Sequence, residues 1–279
     1  MITRIVNQHK QTQAPQPAEH AGAVLILGCG WIGRAFAAEQ LSKGYTVYAT
    51  TTRAEKAEEL EQEGIKPLIV DFDQEIDLSL FPAKVDFILN SIPATKRLSP
   101  EVLQRRFAQL GLLLGKLAYR KHLFLSSVGI YPDKSQVFTE AFPVAENSNL
   151  RMAEKAMLQH NNSLVYRLGG LFGKDRVLAK YFQHKTCGIG AQPANFVHIE
   201  DVLRLLVAAK EHKLVADIYN VVCPAHPSKE AVIRAGAQRY GFSLPAAFDD
   251  AANFQKIVSG YKLQNELKYS FLYESPILF

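Results

Sequence analysis

The 279-residue chain has little cysteine, a single tryptophan and no long apolar run. Its three cysteines, Cys29, Cys187 and Cys223, form no CxxC pair and leave one over, which argues against a disulfide frame and for free thiols in a reducing compartment. Cys223 and His226 stand at CxxH spacing, but no second ligand pair follows, so no zinc site is expected. No apolar stretch approaches the roughly 18 residues of a membrane-spanning helix. The first 22 residues lack the apolar core of a secretory signal. A soluble, cytoplasmic protein without a membrane partner is the expectation. Charge of one sign is scarce too: 32 Lys+Arg against 27 Asp+Glu leaves +5. The basic residues form only short clusters such as Arg105–Arg106 and Arg120–Lys121, so no nucleic-acid partner is expected. Apolar residues are abundant, at 48% against 21% charged, the balance of a globular chain with a substantial core.

Residues 1–22 are rich in Gln, His and Pro and read as a flexible arm. Order begins at Ala23–Leu27 (AVLIL), an uninterrupted apolar run of the kind found in a strand buried on both faces. Further strands are expected at Tyr45–Thr50, Pro67–Val70, Val85–Leu89, His122–Leu125, Leu164–Leu168 and Ile218–Val222. Helices are expected between them, including a long one opened by Ser99 as cap and Pro100 in its first turn and running to about Tyr119. Short strands alternating with helices imply right-handed βαβ units and an α/β, Rossmann-type doubly wound parallel sheet. That sheet would use 23–172 and 195–223. Residues 173–194 and 224–279 break the alternation and are expected to build a small substrate lobe over the carboxyl edge.

The strongest local signal is Gly28-Cys29-Gly30-Trp31-Ile32-Gly33, placed where a strand ends and a helix opens. Gly28 permits the tight turn, Gly30 lets backbone approach a pyrophosphate, and Gly33 lets the helix pack close to the strand. The amides at the helix start, through Trp31 and Ile32, would face the phosphates. At the end of the second strand an acidic residue would select the ribose hydroxyl of NAD. The chain instead reads Thr50-Thr51-Thr52-Arg53, where Thr51 and Arg53 suit the 2′-phosphate of NADP. His198 reads as a cap at a strand–helix junction.

Together these segments resemble an atypical extended short-chain dehydrogenase/reductase of the NAD-dependent epimerase/dehydratase superfamily, close to its YeeZ-like branch. LILGCGWIGRAFAAEQLSKGYTVYATTTR, LFLSSVGIYPD, VYRLGGLFGKDR and NFVHIEDV carry the resemblance, from about Val24 onward. It implies that Asp71 belongs to the loop touching adenine and that Asn90 and Ser91 belong to the loop walling the cofactor. It also implies that Ser127 hydrogen-bonds the substrate oxygen, with Tyr131 as the other nearby hydroxyl. One departure matters: aligning Glu154 with the family's helix glutamate puts Glu146 and Leu150 where the catalytic Tyr and Lys of YxxxK stand. The literal YxxxK at Tyr181–Lys185 lies in the second lobe and reads as coincidence. The expectation is an NADP(H)-dependent oxidoreductase-like protein acting on a small polar metabolite in the interlobe cleft, through Ser127 and Tyr131, with a homodimer compatible with the apolar spacing of the helix after Ser99. A sugar-nucleotide epimerase or dehydratase, and a non-catalytic dinucleotide-binding module, stay open as alternatives.

Overall fold

A computed structural model of the protein describes residues 22–215, 217–249 and 253–279. Apart from Gly22, the expected N-terminal arm lies outside them. Seven parallel strands form the central sheet: β1 (Ala23–Leu27), β2 (Thr46–Thr51), β3 (Lys66–Ile69), β4 (Lys84–Asn90), β5 (Ala118–Ser127), β6 (Ser163–Leu168) and β7 (Ile218–Val221). Their spatial order is β3-β2-β1-β4-β5-β6-β7, the doubly wound order with one further strand at its edge. The expected fold class is therefore the observed one.

The side-chain alternation of β1 shows why its sequence needs no polar face. Val24 and Ile26 enter one apolar layer with Phe36 of α1 (Trp31–Ser42), Leu60 of α2 (Ala54–Gln62) and Leu205 of α5 (Ile199–Glu211). Leu25 and Leu27 enter the opposite layer with Leu103 and Phe107 of α3 (Pro100–Lys116) and Met157 of α4 (Asn149–Leu158). Both faces are covered, so the strand reads as one apolar run. Helix starts follow local chemistry. Ser99 Oγ accepts from Val102 N–H at 3.4 Å, and Ser148 Oγ from Arg151 N–H at 3.2 Å. His198 Nδ1 accepts from Glu200 N–H at 3.2 Å and so caps α5.

The segments outside the alternation divide between two cores. Val177, Ala179 and Cys187 pack with Ile233 and Ala237 of α6 (Lys229–Tyr240) in a separate apolar cluster. Leu263 of α7 (Tyr261–Leu267) and Phe271 instead join the main layer beside α5. Buried Asp201 fixes that return, accepting from Tyr269 Oη at 2.7 Å, Leu272 N–H at 2.8 Å and Tyr273 N–H at 3.1 Å. Two short parallel pairs hold these segments: 186–187 with 247–248 joins them to each other, and 136–138 with 256–258 ties them to the rest.

A buried polar network ties the carboxyl edge together. Glu154 of α4 and Arg167 of β6 form a two-bond pair, Nε to Oε1 at 2.9 Å and Nη2 to Oε2 at 2.7 Å. Their side chains are 0% and 2% exposed. Ser126 donates to Glu154 Oε1 at 2.6 Å, and Arg167 Nη1 donates to Tyr131 Oη at 2.8 Å. Tyr131 Oη in turn donates to Asn220 Oδ1 of β7 at 2.8 Å. Burial is the largest single influence on Arg167 and opposes its charge, but Glu154 and Tyr131 together outweigh it and hold the guanidinium above its ordinary value. Because breaking a buried pair strands one charge, Glu154→Leu and Arg167→Met are each expected to cost about 3–5 kcal/mol in denaturant unfolding, and the double variant less than their sum. Single losses under about 1 kcal/mol would contradict this role.

His122, fully buried in β5, pairs through Nδ1 with Ser163 Oγ at 2.9 Å. Burial pushes its pKa from 6.5 down to about 3. The folded protein keeps it neutral while the unfolded chain takes up a proton, so stability is lost as pH falls from 6.5 toward 3. A slope of about 1.4 kcal/mol per pH unit is expected from this group. Unfolding curves of His122→Gln across that range should lack this slope, and curves parallel to the parent's would refute it.

Candidate cofactor and substrate groove

The winding of the sheet reverses between β1 and β4, whose register pairs Leu27 with Asn90. The loops leaving these neighbouring strands, Gly28–Gly33 and Ser91–Pro93, therefore open a crevice at the carboxyl edge. The three glycines occupy distinct surroundings. Gly28 has φ +80°, and a Cβ there would meet Ile92 Cδ1 at 3.0 Å. At Gly33 a Cβ would meet Ile26 Cγ2 at 3.0 Å and Gly28 O at 3.2 Å, so contact between α1 and β1 excludes a side chain. At Gly30 a Cβ would meet nothing within 4 Å, because the backbone faces the open crevice. The first turn of α1 has no side-chain cap, and its amides face outward at the positive end of the helix dipole. This is a cradle that a dinucleotide's pyrophosphate fits.

A cavity of about 480 Å³ extends from this cradle. Thr51, Thr52, Arg53 and Lys56 line one side, and Asp71, Phe72, Ser91 and Arg106 the other. Thr50 Oγ1 accepts from Gly28 N–H at 2.8 Å and fixes the glycine turn to β2. Ser91 Oγ donates to Gly28 O and fixes it to the β4 loop. Arg106 grips Asp73 with two bonds of 2.7 Å and donates to Pro93 O at 2.9 Å, bracing both loops of that wall. The same guanidinium lowers the Asp73 carboxyl below its ordinary pKa.

Past Ser91 and Pro93 the crevice continues into a second cavity of about 620 Å³. Ile32, Leu125, Ser127, Tyr131, Leu150 and Lys256 border it. Ser127 Oγ accepts from Gly129 N–H at 3.1 Å, which leaves its own proton available to an oxygen in the cavity. A third cavity of about 450 Å³ shares Gly129, Asp133 and Lys256 with the second and adds Gln192, Asn195 and Lys229.

Most of the residues singled out in the sequence meet here. Gly28, Gly30, Thr51, Arg53, Asp71 and Ser91 line the first cavity, and Ile32, Ser127 and Tyr131 the second. Three are placed differently from the simplest expectation. Asn90 is fully buried and acts from behind, its Oδ1 accepting from Ile92 N–H at 3.1 Å and its Nδ2 donating to Met157 Sδ at 3.3 Å. Trp31 turns away from the cradle, its Nε1 donating to Asp175 Oδ1 at 3.1 Å under the Arg176 guanidinium at 4.1 Å from its ring. Tyr131 is 2% exposed, with its hydroxyl committed to Arg167 and Asn220. Burial raises that phenol's pKa and Arg167 only partly offsets it, so the group stays protonated.

Lys56, Arg106, Lys229 and Lys256 were not anticipated from the sequence. Lys56, three residues after Arg53 and donating to Cys29 O, was within reach of a helix-spacing argument. The other three depend on distant contacts. Burial pushes the Cys29 thiol up to about 11, which keeps it protonated. The coincidental Tyr181–Lys185 pair lies on the surface, with Tyr181 exposed and Lys185 Nζ donating to its carbonyl at 3.1 Å. Among the described residues no helix is long and apolar enough to cross a membrane.

Known proteins share this architecture. The chain is 26% identical over 269 residues to protein YeeZ of Escherichia coli K12, covering 91% of this chain and 97% of that protein. A functionally unknown conserved protein from Silicibacter pomeroyi superposes with TM-score 0.72 at 22% identity, over 92% of this chain and 96% of that one. The ADP-L-glycero-D-manno-heptose-6-epimerase of Helicobacter pylori gives TM-score 0.74 at 18% identity, over 93% and 94% of the two chains. The UDP-glucuronic acid 4-epimerase of Bacillus cereus, in complex with NAD, gives 0.71 at 20%, over 91% and 95%. Residues 24–222 match the sequence pattern of one family, and that span holds all of the sheet but Ala23, together with its glycine cradle. The chain belongs to the NAD-dependent epimerase/dehydratase family.

Proposed function

We propose that the protein is an NADP(H)-dependent oxidoreductase acting on a small polar metabolite held beside Ser127. One observation carries this reading: a single crevice runs from Thr51–Arg53, across the open face of Gly30, past Ser91 to Ser127. A nicotinamide cofactor bound there would supply the hydride acceptor or donor. The amides at the start of α1 would receive the pyrophosphate. Arg53 and Lys56, with the threonine hydroxyls between them and β2, suit a 2′-phosphate better than a free ribose hydroxyl. Asp71 stands at the adenine end. Ser127 offers its proton to the substrate oxygen, while Tyr131 holds the turn after β5 from inside the protein. The same reading seats a second copy of the chain on the cleft between α3 and α4, where exposed Leu112 borders apolar surface with Phe107 and Met152.

Sugar-nucleotide epimerisation, the activity named for the Helicobacter and Bacillus structures, is less well supported. Leu150 stands at the position expected for the lysine, and Glu146 is engaged by Arg151 at 3.2 Å and by Lys155. A dinucleotide-binding module without turnover is favoured by one observation, the inward-bonded phenol of Tyr131 in a cavity also lined by apolar Leu125 and Leu150.

Fluorescence titration separates the cofactor claims. NADPH is expected to bind more tightly than NADH, and Arg53→Ala to weaken NADPH selectively by about tenfold or more, the worth of a charge-assisted phosphate contact. Gly30→Val should abolish binding of both by filling the pyrophosphate space. Equal curves for the two cofactors contradict the NADP assignment, and normal binding by folded Gly30→Val contradicts the site. Ser127→Ala is expected to lower turnover by about 10²–10³-fold, as loss of one donor to a developing oxyanion does, with NADPH affinity unchanged. Tyr181→Phe should leave turnover intact. Absence of hydride transfer across carbonyl, imine and sugar panels would favour the binding module.

A further inference from the structure

The third cavity lies beyond Ser127, away from the glycine cradle, and its electrostatics are unbalanced. Among the described residues Asp133 is the one carboxylate on its wall, against Lys229 and Lys256. Lys256 is 9% exposed, yet its ion-pair partner Asp133 has a side chain 67% exposed, at 3.1 Å. Such a surface carboxylate is a weak counter-charge for a buried ammonium. Lys256 Nζ also donates to Tyr131 O at 2.7 Å, which uses a second of its three donors. Lys229, in the first turn of α6, donates to Gln192 Oε1 at 2.7 Å. Burial holds Lys229 below its ordinary pKa, and neighbouring Lys256 pushes the same way against Asp133. Asn195 locks the wall by donating to Lys256 O at 2.8 Å and accepting from Val258 N–H at 2.7 Å. The two ammonium groups are thus held in place by the fold with donors to spare and, among the described residues, one exposed acid on their wall.

We infer that this cavity is an anion subsite, in which Lys229 and Lys256 take the carboxylate or phosphate of the substrate whose reacting oxygen sits at Ser127. Gly129, Asp133 and Lys256 border both cavities, so one small molecule reaches from Ser127 to the lysines. The substrate class is accordingly an oxidised or reduced metabolite bearing a terminal anionic group. This assignment of substrate rests on the reading of the crevice as an oxidoreductase site, but the anion binding itself does not.

Calorimetric titration of the full chain, with and without NADPH, tests it with inorganic phosphate and succinate as probes at low ionic strength. Saturable binding of at least one is expected, and the two arms tell phosphate from carboxylate. Lys229→Met should weaken that binding by about tenfold or more, with melting temperature and NADPH affinity at parental values. Because Lys256 also holds the Tyr131 carbonyl, the companion variant is Lys256→Arg, which should retain binding within a few-fold. If neither probe saturates the parent, or if Lys229→Met binds as the parent does, the subsite is refuted. If NADPH fails to bind while the anion titrates through Lys229, the cofactor reading fails and the subsite stands.

Discussion

The buried ion pair between Glu154 and Arg167 is the constraint on which the carboxyl edge depends. It joins α4 to β6, takes Ser126 from β5, and passes through Tyr131 to Asn220 on β7. Asn220 N–H donates to Glu140 Oε1 at 2.7 Å, and its side chain reaches Ser259 O at 3.1 Å, next to the short strand that carries Lys256. A guanidinium suits this position because its planar fork binds the carboxylate with two bonds and has a further donor for the phenol. An ammonium has no such geometry. The pair thus sets the floor of the second cavity, on which Ser127 is displayed, and anchors the segment that closes the third.

The network also separates two kinds of polar residue in the crevice. Those tied into it, Ser126, Tyr131 and Asn220, have their hydroxyl and amide groups engaged internally, so that Ser126 and Tyr131 line the second cavity with their polar atoms already committed. The others, Ser127, Arg53, Lys56 and Lys229, keep donors that the fold does not consume. The glycine loop follows the same division in backbone terms. Gly28 and Gly33 answer to internal contacts, and Gly30 alone of the three faces open space. Fold and recognition thus use neighbouring residues for different ends.

The sheet was legible in the sequence because its signals are local. AVLIL ends where β1 ends, and Ser99-Pro100 starts α3 as capping requires. The first half of β5 was not legible. The helix opened by Ser99 is expected to run to about Tyr119, but it stops at Lys116, and pairing with Lys84–Phe87 on β4 makes Ala118-Tyr119-Arg120-Lys121 part of the strand. The pairing of 136–138 with 256–258 joins segments far apart in sequence and leaves no periodic trace. The glycine cradle and Arg53 were readable from spacing alone. The inward turn of Tyr131 was not, because its hydroxyl partner, Asn220, lies 89 residues away. Lys256 had no local signal either, since its place on the wall is set by that long-range pairing.

One crevice at the β1–β4 switch point is proposed to hold NADP with its nicotinamide end at Ser127. A crystal structure of the protein grown with NADPH tests it most directly. The pyrophosphate is expected on the amides that follow Gly30, the 2′-phosphate within hydrogen-bonding distance of Arg53 or Lys56, and the nicotinamide ring beside Ser127. A cofactor bound elsewhere, or one whose nicotinamide is directed away from Ser127, would contradict it.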